Sequence, residues 1–306
     1  MSQEFSSIPA GQGKLSDEKL LRRATYASVF VASVLIVIKT IAWLLTGSVS
    51  ILASLVDSLM DAVASLINLF AVAHSLVPAD SEHRFGHGKV ESLAGLGQSV
   101  FIFASAVFLF ISAVERLQNP QELGEVGLGT VVIVISILLT VLLLVFQHYV
   151  VKRTGSLAVK ADALHYRADL FTNAAILLAL FLSVYGYSFF DAVFAIAIAF
   201  YIFYSAWGIA YDAVQILLDR ELPEEIREQI THIAKSVPRV GGIHELRTRR
   251  SGATRFIQFH IDLDENMSLK EAHQVADLVE AAICVEIPNA DVIIHEDPTV
   301  SSSTAC

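Results

Sequence analysis

Six long apolar blocks constrain this chain more than anything else in it. They lie near residues 24–46, 49–77, 91–117, 125–150, 158–184 and 188–212. Each is long enough to cross a bilayer, since a helix needs about 20 residues to span roughly 30 Å of hydrocarbon. Lipid offers no partner for backbone N–H and C=O groups, so each block must close its hydrogen bonds internally as a helix. The composition agrees: 17% of residues are charged, against about a quarter in an average soluble protein. The expected architecture is therefore six transmembrane α-helices.

The connectors alternate in charge. Lys14, Lys19, Arg22 and Arg23 precede the first block, Arg84 and Lys89 join the second to the third, and Lys152, Arg153 and Lys160 join the fourth to the fifth. The opposite connectors, TGSVS, LQNPQELGE and VYGYS, are almost free of positive charge. The positive-inside rule then places both termini in the cytoplasm. Residues 1–14 read as a disordered tail, residues 15–212 as the membrane domain, residues 213–298 as a polar domain, and residues 299–306 as a second disordered tail.

From Ala213 onward the chain holds 16 acidic and 9 basic residues, a net charge of −7. LPEEIREQITHIAKSV opens on proline and acids, as a helix N-terminus does. GGIHELRTRR and TRFIQFHIDLD read as strands, the second alternating Ile257, Phe259, Ile261 and Leu263 with more polar neighbours. SLKEAHQVADLVEAAICV begins with a capping box, Ser268 and Glu271, and ADVIIHEDP is a last short strand. The order α-β-β-α-β predicts a compact, metallochaperone-like α+β domain. The formal charge of −10 argues against a nucleic-acid partner. Cys284 and Cys306 form neither a CxxC pair nor a disulfide framework.

The second block contains LVDSLMDAVASL, with Asp57 and Asp61 one helical turn apart. A carboxylate in the bilayer costs several kcal/mol, so its presence points to function. Residues at i and i+4 share a face about 6 Å apart, and two such acids need a shared cation or a proton. In the fifth block LHYRADL places His165 and Asp169 at the same spacing. Two helices with two side chains each make a four-donor cage. Three carboxylates and an imidazole suit Zn²⁺, with Cd²⁺, Co²⁺ or Fe²⁺ close behind, better than octahedral Mg²⁺.

Two further clusters have ligand chemistry. Asp80, His83 and His87 share a glycine-bearing loop. The polar domain holds half of all histidines, with His244, His260 and His295 each on an expected strand, Asp297 two residues past His295, and His273 on the neighbouring helix. The i, i+2 spacing puts His295 and Asp297 on one strand face. His74 and His148 read as interfacial, and Lys39, deep in the first block, reads as snorkelling outward.

SVSILASLVDSLMD, FGHGKVESL and LHYRADLFTN resemble the cation diffusion facilitator family, and among its members the bacterial YiiP-type zinc (ferrous-iron efflux) exporters. The resemblance runs from about Leu15 to Pro298. It implies a homodimer in the bacterial inner membrane that exchanges a cytoplasmic divalent metal for external protons. Asp57, Asp61, His165 and Asp169 would then form the transport site, and the Asp80 loop a zinc site. The tail would hold a two-metal regulatory centre at the dimer interface, bridged by Asp297. Lys89 and Asp219 resemble the family's charge interlock near the membrane surface. Without the family, antiport still follows: ligands shed protons to bind metal, so the two compete for one site. No nucleophile or oxyanion constellation accompanies the acids, so an enzyme is not expected. The competing reading is a membrane metal sensor, which would not need charged ligands inside the bilayer.

Overall fold

The computed structural model describes residues 11–118, 128–183 and 189–299. VYGYS, most of LQNPQELGE and the outer parts of both terminal tails lie outside the described residues. The described chain forms α1 (Gly11–Thr46), α2 (Val49–Ser75), α3 (Lys89–Gln118), α4 (Leu128–Thr154), α5 (Leu157–Ser183) and α6 (Phe189–Leu217). These are followed by α7 (Glu224–Ser236), β1 (Gly242–Ser251), β2 (Thr254–Leu263), α8 (Leu269–Glu286) and β3 (Ala290–Pro298). It divides into two compact units, one running from Lys19 to Val214 and the other built mainly from Gln215 onward.

In the first unit, α1–α4 and α6 are long and apolar enough to cross a membrane. Each turns large apolar side chains outward, among them Phe30, Phe70, Phe108, Leu142 and Tyr204. Such belts are stable against lipid, not water. The expected sixth span, α5, is different. Its 27 residues reach about 40 Å at 1.5 Å per residue. Its first half, however, carries Lys160, Asp162, Arg167 and Asp169, so five spans, not six, stand out by composition among the described residues. That half is enclosed by protein: Ala158, Val159, Ala161, Asp162, Leu164 and Tyr166 are all buried. The surrounding walls come from α2, α3 and α4, with Val31 and Leu35 of α1 packed around Tyr166.

The α5 N-terminus is anchored from two sides. Gly155, with φ 63°, takes the left-handed turn that ends α4 and donates its N–H to Val151 O at 2.8 Å. Ser156 Oγ then accepts from Val159 N, and the buried Glu91 of α3 accepts from Leu157 N at 2.7 Å. Gly95 permits the close approach of α3, since a Cβ there would sit 3.2 Å from Leu157 Cγ.

The second unit is the expected α+β domain. Its sheet has the order β1-β2-β3, with β1 antiparallel and β3 parallel to β2. One face of β2, Ile257, Phe259, Ile261 and Leu263, packs on Ile230 and Ala234 of α7 and on Val275, Val279 and Ile283 of α8. Phe256 points to the other face and is also buried, with the Arg249 guanidinium 4.9 Å over its ring. Asp219 takes the left-handed turn (φ 57°) that follows α6.

The capping box of α8 forms as its sequence suggests. Ser268 N–H and its hydroxyl both donate to Glu271 Oε2, at 3.0 and 2.8 Å. The backbone bond from Ser268 holds the Glu271 carboxyl below its ordinary range. A depressed folded value means that the carboxylate stabilises the fold above the ordinary glutamate pKa of about 4.3. That contribution disappears as pH falls through the lower, folded value. Glu271→Gln should therefore unfold at a lower temperature than the parent at neutral pH. The gap should close on acidification, in a pH series of thermal unfolding on the full chain in detergent.

Candidate metal centres

Three sets of donor side chains converge among the described residues: Asp61, His165 and Asp169; Asp80, His83 and His87; and His244, His260 and Asp297.

The first set lies where α2 meets α5. His165 Nε2 is 2.8 Å from Asp61 Oδ1 and 3.8 Å from Asp169 Oδ2. Both carboxylates thus address one ring nitrogen. Donors bound at 2.0–2.1 Å to a tetrahedral ion are about 3.3 Å apart, so the observed separations straddle that value. The i, i+4 spacing of His165 and Asp169 works as expected. Asp57 does not join them: it is exposed on the single chain, whereas Asp61 is buried. The structure therefore gathers three of the four expected cage residues.

Around this set lies a polar shell. Asp162, one turn before His165, is fully buried. It accepts hydrogen bonds from Ser28 Oγ of α1 (2.6 Å), Gln147 Nε2 of α4 (2.7 Å) and Gln98 Nε2 of α3 (3.4 Å). Tyr166 Oη lies 2.9 Å from Ser65 Oγ of α2 and donates to Ser28 O. These bonds tie α5 to four neighbouring helices and fix the rotation that aims His165 at α2. The i−3 spacing of Asp162 from His165 was the available signal, but its partners come from distant sequence.

Lys39 requires a correction. It does not snorkel: it is buried, and Nζ donates to Ser54 O at 3.0 Å and Ser58 Oγ at 2.6 Å on α2. Two acceptors one turn apart on α2 hold the ammonium inside the bundle. Ser54 and Ser58 lie on the helix that carries Asp57 and Asp61.

In the loop, Asp80 Oδ1 accepts the backbone N–H groups of Glu82 and His83, and these bonds hold its carboxyl below the usual range. Asp80 oxygens also lie 3.5 Å from His83 Nδ1 and 3.4 Å from His87 Nε2. Gly86, at φ 75°, makes the turn that returns His87 to this carboxylate.

In the tail, strand register aligns the histidines. His244 pairs with His260 across β1 and β2, and His260 with His295 across β2 and β3. Their ring centroids are 5.1 and 4.5 Å apart. Asp297 sits among them: Oδ2 is 2.7 Å from His260 Nδ1 and 3.2 Å from His244 Nε2, and Oδ1 is 3.2 Å from His295 Nε2. The hydrogen bond from His260 is the main reason its carboxyl lies below the ordinary range. His295 thus stands beside the three-donor set. His273 does not join it; that ring is exposed on α8, 3.8 Å from Asp277. Asp262, 3.4 Å from His244 Nδ1, is a neighbour that the strand pattern alone did not single out. Of the expected interlock pair, Asp219 lies 3.4 Å from Arg249 in its own unit, and Lys89 opens α3.

Residues 25–218 match the family described as "Cation efflux transmembrane domain", and residues 222–299 match "Cation efflux protein, cytoplasmic domain". The cation-efflux pump FieF of Citrobacter koseri is 53% identical over 280 residues, covering 92% of this chain and 93% of the relative. FieF of Escherichia coli O1:K1 is 53% identical with the same coverage. Among solved structures, a nickel form of the MamM CTD aligns with 26% of this chain and 100% of its own, at 25% identity and a TM-score of 0.25.

The position of Lys39 makes a testable statement about the first centre. At effective dielectric about 20 and separations on the order of 10 Å, one unit charge contributes about 1–2 kcal/mol per charge it faces. Lys39→Met should therefore tighten divalent-ion binding at Asp61, His165 and Asp169 by about tenfold or more. Competition with a zinc indicator in purified protein measures the change.

Proposed function

The chain belongs to the cation efflux (cation diffusion facilitator) family, and on that premise we propose that it exports a divalent metal from the cytoplasm in exchange for protons. The cargo is Zn²⁺, with Cd²⁺ or Fe²⁺ as the nearest alternatives. The observation that carries this reading is the convergence of Asp61, His165 and Asp169 on one point inside the apolar bundle. Asp57, on the same helix one turn away, supplies the fourth donor when metal binds. α5 is the sixth span, and it tolerates Asp162 and His165 because α2, α3 and α4 enclose them. Both termini face the cytoplasm of a bacterial inner-membrane protein.

Antiport follows from the donor set. Carboxylates and a neutral imidazole bind metal only after losing protons, so an incoming ion expels protons and incoming protons expel the ion. Rocking of the helices between inward and outward openings converts that competition into exchange. Protons also neutralise the site during its return, which lowers the cost of carrying bare carboxylates through lipid.

The tail acts as a homodimerisation and regulatory domain. Asp297, shared by three histidines, bridges metal ions there. FieF relatives are named cation-efflux pumps, which supports export over sensing.

The test is zinc flux into liposomes that contain an indicator dye, driven by an imposed pH gradient. Wild-type flux should follow the gradient, and Asp61→Ala should reduce it to the protein-free background while metal binding at the tail persists. Flux that ignores the gradient would indicate a pore. Absence of flux for zinc, cadmium and iron, with tail binding intact, would favour the sensor reading.

A further inference from the structure

We infer that His74 is a fourth ligand of the loop centre, closing Asp80, His83 and His87 into a four-coordinate site for a zinc-class divalent ion. The inference rests on reading that loop as a metal centre. His74 lies in the last turn of α2, outside the loop. Its ring centroid is 4.9 Å from that of His87, with the planes at 67°. The His83 and His87 centroids are 4.6 Å apart.

These spacings match what one ion imposes. Bonds of 2.0–2.1 Å in tetrahedral geometry hold donor atoms about 3.3 Å apart and two imidazole centroids about 5 Å apart. The Asp80 contacts to His87 and His83, 3.4 and 3.5 Å, fit the first value. The His74–His87 and His83–His87 centroid distances fit the second. His87 is buried, and its Nδ1 lies 3.4 Å from Val77 O. Donation to that carbonyl fixes the tautomer that leaves Nε2 free for an ion. Nε2 is the atom that faces Asp80. His74 is exposed, so its ring can turn toward the same point without disturbing the packing of α2.

A fourth protein ligand changes the character of the site. Three donors leave a position for water or an exchanging ligand, whereas four make a closed centre. A closed centre here would join the loop to the end of the helix that bears Asp61. Metal at the loop would then restrain the cytoplasmic end of α2.

The experiment uses full-length protein in detergent carrying Asp61→Ala, His165→Ala, His260→Ala and Asp297→Ala, which removes the shared donors of the other two centres, with Co²⁺ as probe. The parent should show the intense visible bands of tetrahedral Co²⁺. Adding His83→Ala should abolish them, which tests the loop reading itself. Adding His74→Ala should weaken Co²⁺ binding at least about tenfold, since even outer-shell partners of a ligand are worth 10–100-fold. The bands should also fade to the weaker absorption of higher coordination. Unchanged affinity and spectrum in the His74 variant, with loss in the His83 variant, would overturn the inference and leave the loop centre standing with three ligands. Unchanged binding in the His83 variant would overturn both.

Discussion

A carboxylate facing hydrocarbon is stable only if protein, a proton or a cation takes the place of water. The first structural unit is organised around that requirement. Asp61, Asp162, His165 and Asp169 all sit on or against α5, and α5 is the helix that its neighbours surround. Ser28, Gln98 and Gln147 satisfy Asp162 from three helices. Lys39, also on α1, is a buried ammonium held by Ser54 and Ser58 of α2. The outer helices can then present largely apolar faces to lipid, because Asp61, Asp162 and His165 are turned inside the bundle.

The same arrangement separates two roles for buried acids. Asp162 is saturated by neutral donors, which suits a residue that fixes the orientation of α5. Asp61 and Asp169 instead share one imidazole nitrogen and keep oxygen lone pairs unused. A group with spare acceptors beside another anion is ready for a cation; a group with filled acceptors is not. The tail repeats the pattern in a different fold. There, sheet register sets three histidines side by side, and one carboxylate two residues beyond the last of them reaches back into the row.

Much of this was legible in the sequence because it depends on local periodicity. The i, i+4 spacing of His165 and Asp169 and the i, i+2 spacing of His295 and Asp297 each place two side chains on one face whatever surrounds them. The capping box of Ser268 and Glu271 is likewise a local device, and it forms as read. Lys39 was misread because its acceptors, Ser54 and Ser58, lie on another helix. His74 was read as interfacial because its relation to His87 depends on how the loop folds back onto α2. His273 shows the converse: it is near the cluster in sequence terms, yet its exposed helix face keeps it outside.

The sequence by itself determined the apolar helices, the α-β-β-α-β order of the tail and the residue types able to hold a divalent metal. Hydrophobic length and periodicity act along a single element and need no knowledge of its neighbours. Only the tertiary structure decided that Asp61 joins His165 and Asp169 while Asp57 stays outside, that Lys39 is buried, and that Asp297 is the residue shared by the histidine row. Those outcomes depend on helix rotation and strand register. Both are set by packing between segments far apart in the chain, so no local pattern encodes them.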